Sequence, residues 1–233
     1  MNKKIGLSLI VLVLIVAGCR KEPAINPDNG FFSDSRDLRE YQWVRIGEQV
    51  WMAENLAFLP AVSPVSFFSE TDPYFYIYGY QGTSISEAKS AANFSKYGVL
   101  FNWEAARTAC PSGWHLPDDA EWKILETFLG MSQPDAEGVG MRESGSVGKK
   151  LKSTSAWDNN GIGDNSSGFT ALPGGYRSFS GNFEGIGLGA GFWSASEKSA
   201  STAWYRGLVF YNSNAHRYSY GKSDGFSVRC LQD

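Results

Sequence analysis

Three cysteines, at positions 19, 110 and 230, constrain this chain of 233 residues more than any other feature. The first closes an N-terminal leader. Lys3 and Lys4 supply positive charge, Ile5 to Val16 is a nearly unbroken apolar run, and Ala17-Gly18 places small residues before Cys19. This pattern predicts a bacterial lipoprotein signal over residues 1–18, with Cys19 as the acylated residue of the mature chain. An ordinary cleaved signal and a retained helix are the alternatives, but the apolar run is shorter than the roughly 20 residues that cross a bilayer. Export puts the chain where disulfides persist, so Cys110 and Cys230 read as one bond, with two buried thiols as the alternative. Neither cysteine has the CxxC context of a redox centre or the ligand spacing of a zinc site.

Acyl chains on Cys19 would hold the protein on a membrane, because more than one chain gives stable anchoring. The formal charge of −3 at pH 7 comes without a basic stripe. That excludes a nucleic-acid partner, which needs phosphates neutralised, and leaves the acylated cysteine as the contact with membrane lipid. Eight Trp, eleven Tyr and fifteen Phe accompany 26 Gly. Such a mixture predicts tight turns and irregular loops packing large rings rather than a helical bundle. Rings left exposed would suit a glycan or peptide surface.

Along the chain, residues 19–38 read as a flexible tether, since 20–35 are rich in Pro, Asn, Asp and Ser. Alternation over 41–46, a Gly-Glu pair and a second extended run at 49–52 predict a β-hairpin. Residues 60–84, with the aromatic run PYFYIYGY at 73–80, read as a long structured loop with room for an edge strand. Apolar spacing predicts one helix over about 98–109 and a weaker one over 86–96. A further helix begins at Asp118, whose carboxylate and the Glu121 side chain form a reciprocal cap, and stops at Gly130. Residues 131–149 and 155–168 read as loops, and strands are predicted at 169–172, 191–194, 204–210 and 225–231. In the last strand Phe226, Val228 and Cys230 share one face, directing Cys230 toward the core and Cys110. No tandem repeat is evident, so residues 39–233 are expected to be a single domain.

Several blocks resemble the Fibrobacter succinogenes major paralogous domain family of bacterial exported proteins. They include VRIGEQVWMAENL at 44–56, FNWEAA at 101–106, ACPSGWHLPDDAEWKILE at 109–126, GFTALPGGYRS at 168–178, GFWSASE at 191–197 and GFSVRC at 225–230. The resemblance implies an α+β, C-type-lectin-like mixed fold with two main helices, short twisted strands and long irregular loops. It also implies a fold kinship with formylglycine-generating enzymes, whose RLPTEAEWE element is similar to residues 114–122. That element is scaffold there, and the chemistry uses a separate cysteine arrangement, so the activity does not carry over.

The chain offers few groups that suggest catalysis. His115 precedes a capped helix and reads as structural, while His216 lies in a polar stretch read as a strand connection that could touch a ligand. Ser194 and Ser196 would need a base and an orienting acid. Glu54 and Glu121 could serve as a carboxylate pair or simply neutralise Arg206 or Arg229. The best ligand candidate is the loop containing Trp157, Asp158, Asn160, Asp164 and Asn165. Its oxygens suit Ca²⁺ or a glycan, although Asn, Asp and Gly also build ordinary turns. The expected function is a lipid-anchored binding or structural module of the cell envelope, on the outer membrane of a Gram-negative bacterium, rather than an enzyme. Its partner would be a glycan, a peptide or an envelope protein. The alternatives are an enzyme distantly related to the formylglycine-generating group and a subunit of a surface filament.

Overall fold

Alternation of more and less exposed side chains starts the folded body, because a strand with one face on a core presents every second residue inward; it holds through the first strand and is broken in the second at Trp43-Val44. In the computed structural model, which describes residues 28–161 and 163–233, strand β1 is Asn29–Ser33, β2 is Glu40–Ile46 and β3 is Gln49–Met52. The hairpin predicted from the sequence is present, with Trp43 opposite Met52 and Ile46 opposite Gln49. Gly47 turns it at φ +62°, where a Cβ would also strike the Phe128 ring at 2.9 Å. The leader 1–18, Cys19 and the tether as far as residue 27 lie outside the described residues. The end of the expected tether belongs to the fold: β1 pairs antiparallel with β2, burying Phe32 against Tyr41 and Trp114.

The next stretch is built from short pieces. Strand β4 (Phe75–Tyr76) precedes helices α1 (Ile85–Ser90) and α2 (Ala92–Tyr97), followed by β5 (Leu100–Phe101) and α3 (Trp103–Arg107). The expected helix over 86–96 breaks at Ala91, whose extended backbone separates α1 from α2. The expected helix over 98–109 starts late, because Gly98 reverses the chain at φ +75° and Asn102 caps the helix from an extended conformation. Strand β6 (Trp114–His115) leads into α4 (Asp119–Phe128), which carries the predicted capping box between Asp118 and Glu121.

Residues 131–149, expected as loop, instead contain α5 (Gln133–Glu137), β7 (Gly140–Arg142) and the start of α6 (Val147–Leu151). Their glycines and serines hide elements too short to show a period. Strands β8 (Gly174–Arg177), β9 (Phe183–Ile186), β10 (Gly189–Glu197), β11 (Thr202–Val209), β12 (Ala215–Gly221) and β13 (Leu231–Gln232) complete the domain. One sheet runs β1-β2-β3-β13-β6 and a second runs β7-β12-β11-β10-β8-β9, with a small pair β4-β5. Only the contact between β8 and β10 is parallel within these sheets. The architecture is α+β.

Two segments expected as strands do not form ladders. Ala171 makes an isolated bridge to Lys152, and residues 225–230 make isolated bridges to Arg177, Phe101 and Phe192 in turn. The latter segment threads between the sheets, so successive residues pair with different elements and both of its faces are buried. Phe226, Val228 and Cys230 enter one apolar cluster with Tyr41, Met52, Phe101 and Trp193. On the other side Arg229, fully buried, donates to Met52 O at 3.1 Å, Phe169 O, Thr170 O at 3.0 Å and Asn55 Oδ1 at 2.8 Å. The second apolar cluster gathers Trp51, Trp122, Phe169 and Phe192. Cys110 and Cys230 are disulfide-bonded with Cα atoms 5.9 Å apart, fastening the segment after α3 to the start of β13.

Candidate functional site

Arg177, the last residue of β8, is fully buried and has no carboxylate partner among its hydrogen bonds. Its guanidinium lies 4.6 Å from the Tyr76 ring centre and donates to Val65 O, to Phe67 O at 3.0 Å and to Ser223 O at 3.2 Å. Tyr76 Oη also donates to Phe67 O at 2.7 Å. A loop that would otherwise sample many conformations is thereby fixed from beneath by one planar, forked donor.

Asn102 holds the same loop further along. Its Nδ2 donates to Ser69 O at 2.9 Å and Asp72 O at 2.8 Å, while its Oδ1 accepts from Tyr74 N and from Ala105 N as the cap of α3. Opposite, residues 178–182 turn back on themselves, with Ser178 N donating to Asn182 O at 2.8 Å. Gly181, at φ +88°, fits because a Cβ there would stand 2.8 Å from Val65 O. Asp224 is only 6% exposed and accepts from Phe179 N at 2.6 Å, tying this turn to the end of the β12 segment.

These constraints frame an open cavity of about 520 Å³. One wall carries Phe68, Ser69 and Glu70; the other carries Phe179; Ser223 and Asp224 lie at its buried side. Phe68 is 61% exposed and Phe179 66% exposed. Such rings keep apolar surface in water that a ligand can cover, and the volume lies within the roughly 300–1,000 Å³ typical of ligand sites. Burial pushes the Asp224 carboxyl up from its ordinary range, against the opposing pull of its backbone donors and Arg177.

The candidates from the sequence have other surroundings. Trp157 is buried and donates from Nε1 to Ser153 Oγ and Ala171 O. Asp158 lies over Gly187, where a Cβ would meet its carboxylate at 2.5 Å, and Asn160 adopts φ +60° in an exposed turn. Asp164 accepts from Ser166 N and faces Lys149, while Asn165 exchanges hydrogen bonds with Thr170. The side chains of Asp164 and Asn165 therefore bond within the loop, whereas Asp158 and Asn160 are exposed; Ile162 between them lies outside the described residues. His216 belongs to β12 rather than to a connection, is buried, and sits 3.3 Å from Asn212 Nδ2. Burial, then the nearby Arg142 charge, lowers its pKa.

Other polar clusters are paired internally. Glu126 accepts from both Arg142 and Arg206, while Asp119 meets Arg217, Arg206 and Lys123. Glu54 reaches Arg39 at 3.9 Å and Glu121 reaches His115; neither forms an ion pair with Arg206 or Arg229, although the charge of Glu54 favours the buried Arg229 cation. His115 is gripped on both nitrogens, with Nδ1 2.7 Å from Asp233 and Nε2 2.9 Å from Glu121. Ser194 Oγ accepts from Ser196 N, and Ser196 Oγ accepts from Asp119 N. Among the described residues, no group of three or more His, Cys, Asp or Glu side chains is placed to hold a metal ion. Among them, too, no helix is long and apolar enough to cross a membrane.

The groove residues escaped sequence reading because they come from three segments far apart in the chain, although the Phe67-Phe68 pair inside a polar stretch is a visible signal. The molecule is an α+β domain presenting a preformed aromatic and polar cleft. The chain belongs to the Fibrobacter succinogenes major domain family, which matches residues 44–232. No curated protein and no solved structure matches the chain.

Proposed function

We propose that this protein is a recognition module of the cell envelope, of C-type-lectin-like architecture, anchored through a lipid on Cys19 and holding its ligand in the groove between Phe68 and Phe179. The observation that carries the reading is the expenditure of two fully buried polar side chains, Arg177 and Asn102, on fixing one exposed loop. A loop held in its bound shape loses less entropy on binding, so rigidity beneath exposed rings favours recognition. The Lys-Lys leader and the small residues before Cys19 support lipid attachment, and Arg20-Lys21-Glu22, with no acidic residue directly after Cys19, is compatible with delivery to the outer membrane.

Two measurements test the two halves. Wild-type protein should incorporate radiolabelled palmitate, and Cys19→Ala should lose it; equal labelling would end the anchor proposal. Full-length protein in detergent should co-sediment with insoluble envelope material, and the double variant Phe68→Ala/Phe179→Ala should be left largely in the supernatant. Equal retention of the double variant would remove the groove from recognition.

A further inference from the structure

We propose that the groove binds a neutral glycan chain by ring stacking and direct hydrogen bonding, without a bridging calcium ion. This names the ligand class for the recognition site above and rests on that reading.

The groove alternates two kinds of surface. Phe68 and Phe179 leave more than half of their surface exposed, whereas Glu70, Ser223 and Asp224 bring carboxyl and hydroxyl groups to the same cavity; the Ser69 hydroxyl beside them is bonded within its own loop to Thr71 and Asp72. A pyranose has the complementary arrangement: a C–H face that packs on an aromatic ring and a rim of hydroxyls that both donate and accept. A purely apolar ligand would leave the buried polar side of the cavity unsatisfied, which costs free energy.

Charge narrows the class. Lys222, between two lining residues, is paired with Glu197 and Ala200 O, and Arg177 has both terminal nitrogens occupied by the carbonyls of Val65, Phe67 and Ser223 and is fully buried. Arg177 is therefore engaged in holding the walls, while the charged side chains lining the cavity are acidic, Glu70 and Asp224. An anionic polysaccharide would meet repulsion with no lining cation to offset it. A cationic peptide would find Glu70 accessible, but Asp224 is 6% exposed and already accepts from Phe179 N.

The test uses full-length protein in a detergent without a sugar headgroup, titrated calorimetrically with cellohexaose, xylohexaose, mannohexaose, polygalacturonate and hexalysine. At least one neutral hexasaccharide should bind, with affinity unchanged by EDTA. Phe68→Ala and Phe179→Ala, both at solvent-exposed positions, should each weaken binding by about tenfold, as expected for a central aromatic anchor. Binding confined to polygalacturonate or hexalysine, loss of neutral-sugar binding in EDTA, or no binding to any neutral chain would overturn the proposal. If these sugars fail while Phe68→Ala/Phe179→Ala still abolishes retention on envelope material, the ligand class is wrong and the recognition site stands.

Discussion

Arg177 contributes more to the shape of the groove than either phenyl ring that lines it. Replacing it with methionine keeps much of the side-chain volume but leaves the carbonyls of Val65, Phe67 and Ser223 without this donor. Arg177→Met should lower the unfolding free energy by about 3 kcal/mol in urea titrations, the order expected for buried groups left unsatisfied. The histidines make an opposed pair. Burial works against charge on His115, but Asp233 and Glu121 outweigh it and raise its pKa; burial and Arg142 lower that of His216. Proton NMR should therefore show His115 titrating above the ordinary value and His216 below it. Stability from His115 is fully present below about pH 6.5, the unfolded value, and is lost as pH rises through its folded value. His216 acts in the opposite sense, favouring the unfolded chain as pH falls below its ordinary value. Sequence shows that these residues are histidines and that Asp118 and Glu121 can cap a helix. It does not show Arg177 as a loop clamp, since its partners lie more than a hundred residues earlier and some forty-six later.

Elements were legible where their reasons were local. The β2–β3 hairpin follows from alternation and Gly47, and α4 follows from its capping box and apolar stripe. Asp118→Ala should cost about 1 kcal/mol in the same titrations, the usual value of an N-cap. The inner face of α4 depends on distant residues instead: Glu126 stands between Arg142 of β7 and Arg206 of β11. Glu126→Ala would leave the buried Arg142 without its carboxylate and Arg206 with Asp119 alone, and should destabilise the protein by about 3–5 kcal/mol, more than the cap on the same helix. Residues 225–230 are the reverse case, where a good alternating pattern does not become a strand ladder. Their hydrogen bonds go to several elements, and that choice is made by the packing of two sheets rather than by the segment's own period. The short helices and strand between 131 and 151 were equally hidden, because elements of three to five residues carry too little periodicity to read.

At the scale of the molecule, one disulfide joins the helical half to the threading segment that touches both apolar clusters. Cys110→Ser/Cys230→Ser should lose about 2–5 kcal/mol, with the loss appearing as one cooperative shift of the urea transition if the clusters unfold together. Pairing of the cysteines was legible once the leader was read as an export signal, and the α+β class from family resemblance. The groove was not, because its walls come from residues 68–70, 179 and 223–224, which only the closed fold brings together. Hydrogen–deuterium exchange of the full-length protein with and without envelope material tests the central claim, that this groove is the recognition surface. Bound ligand should slow exchange in residues 65–72 and 178–181, and Phe68→Ala/Phe179→Ala should abolish that protection. Protection confined to other surfaces, or unchanged in the double variant, would contradict the account.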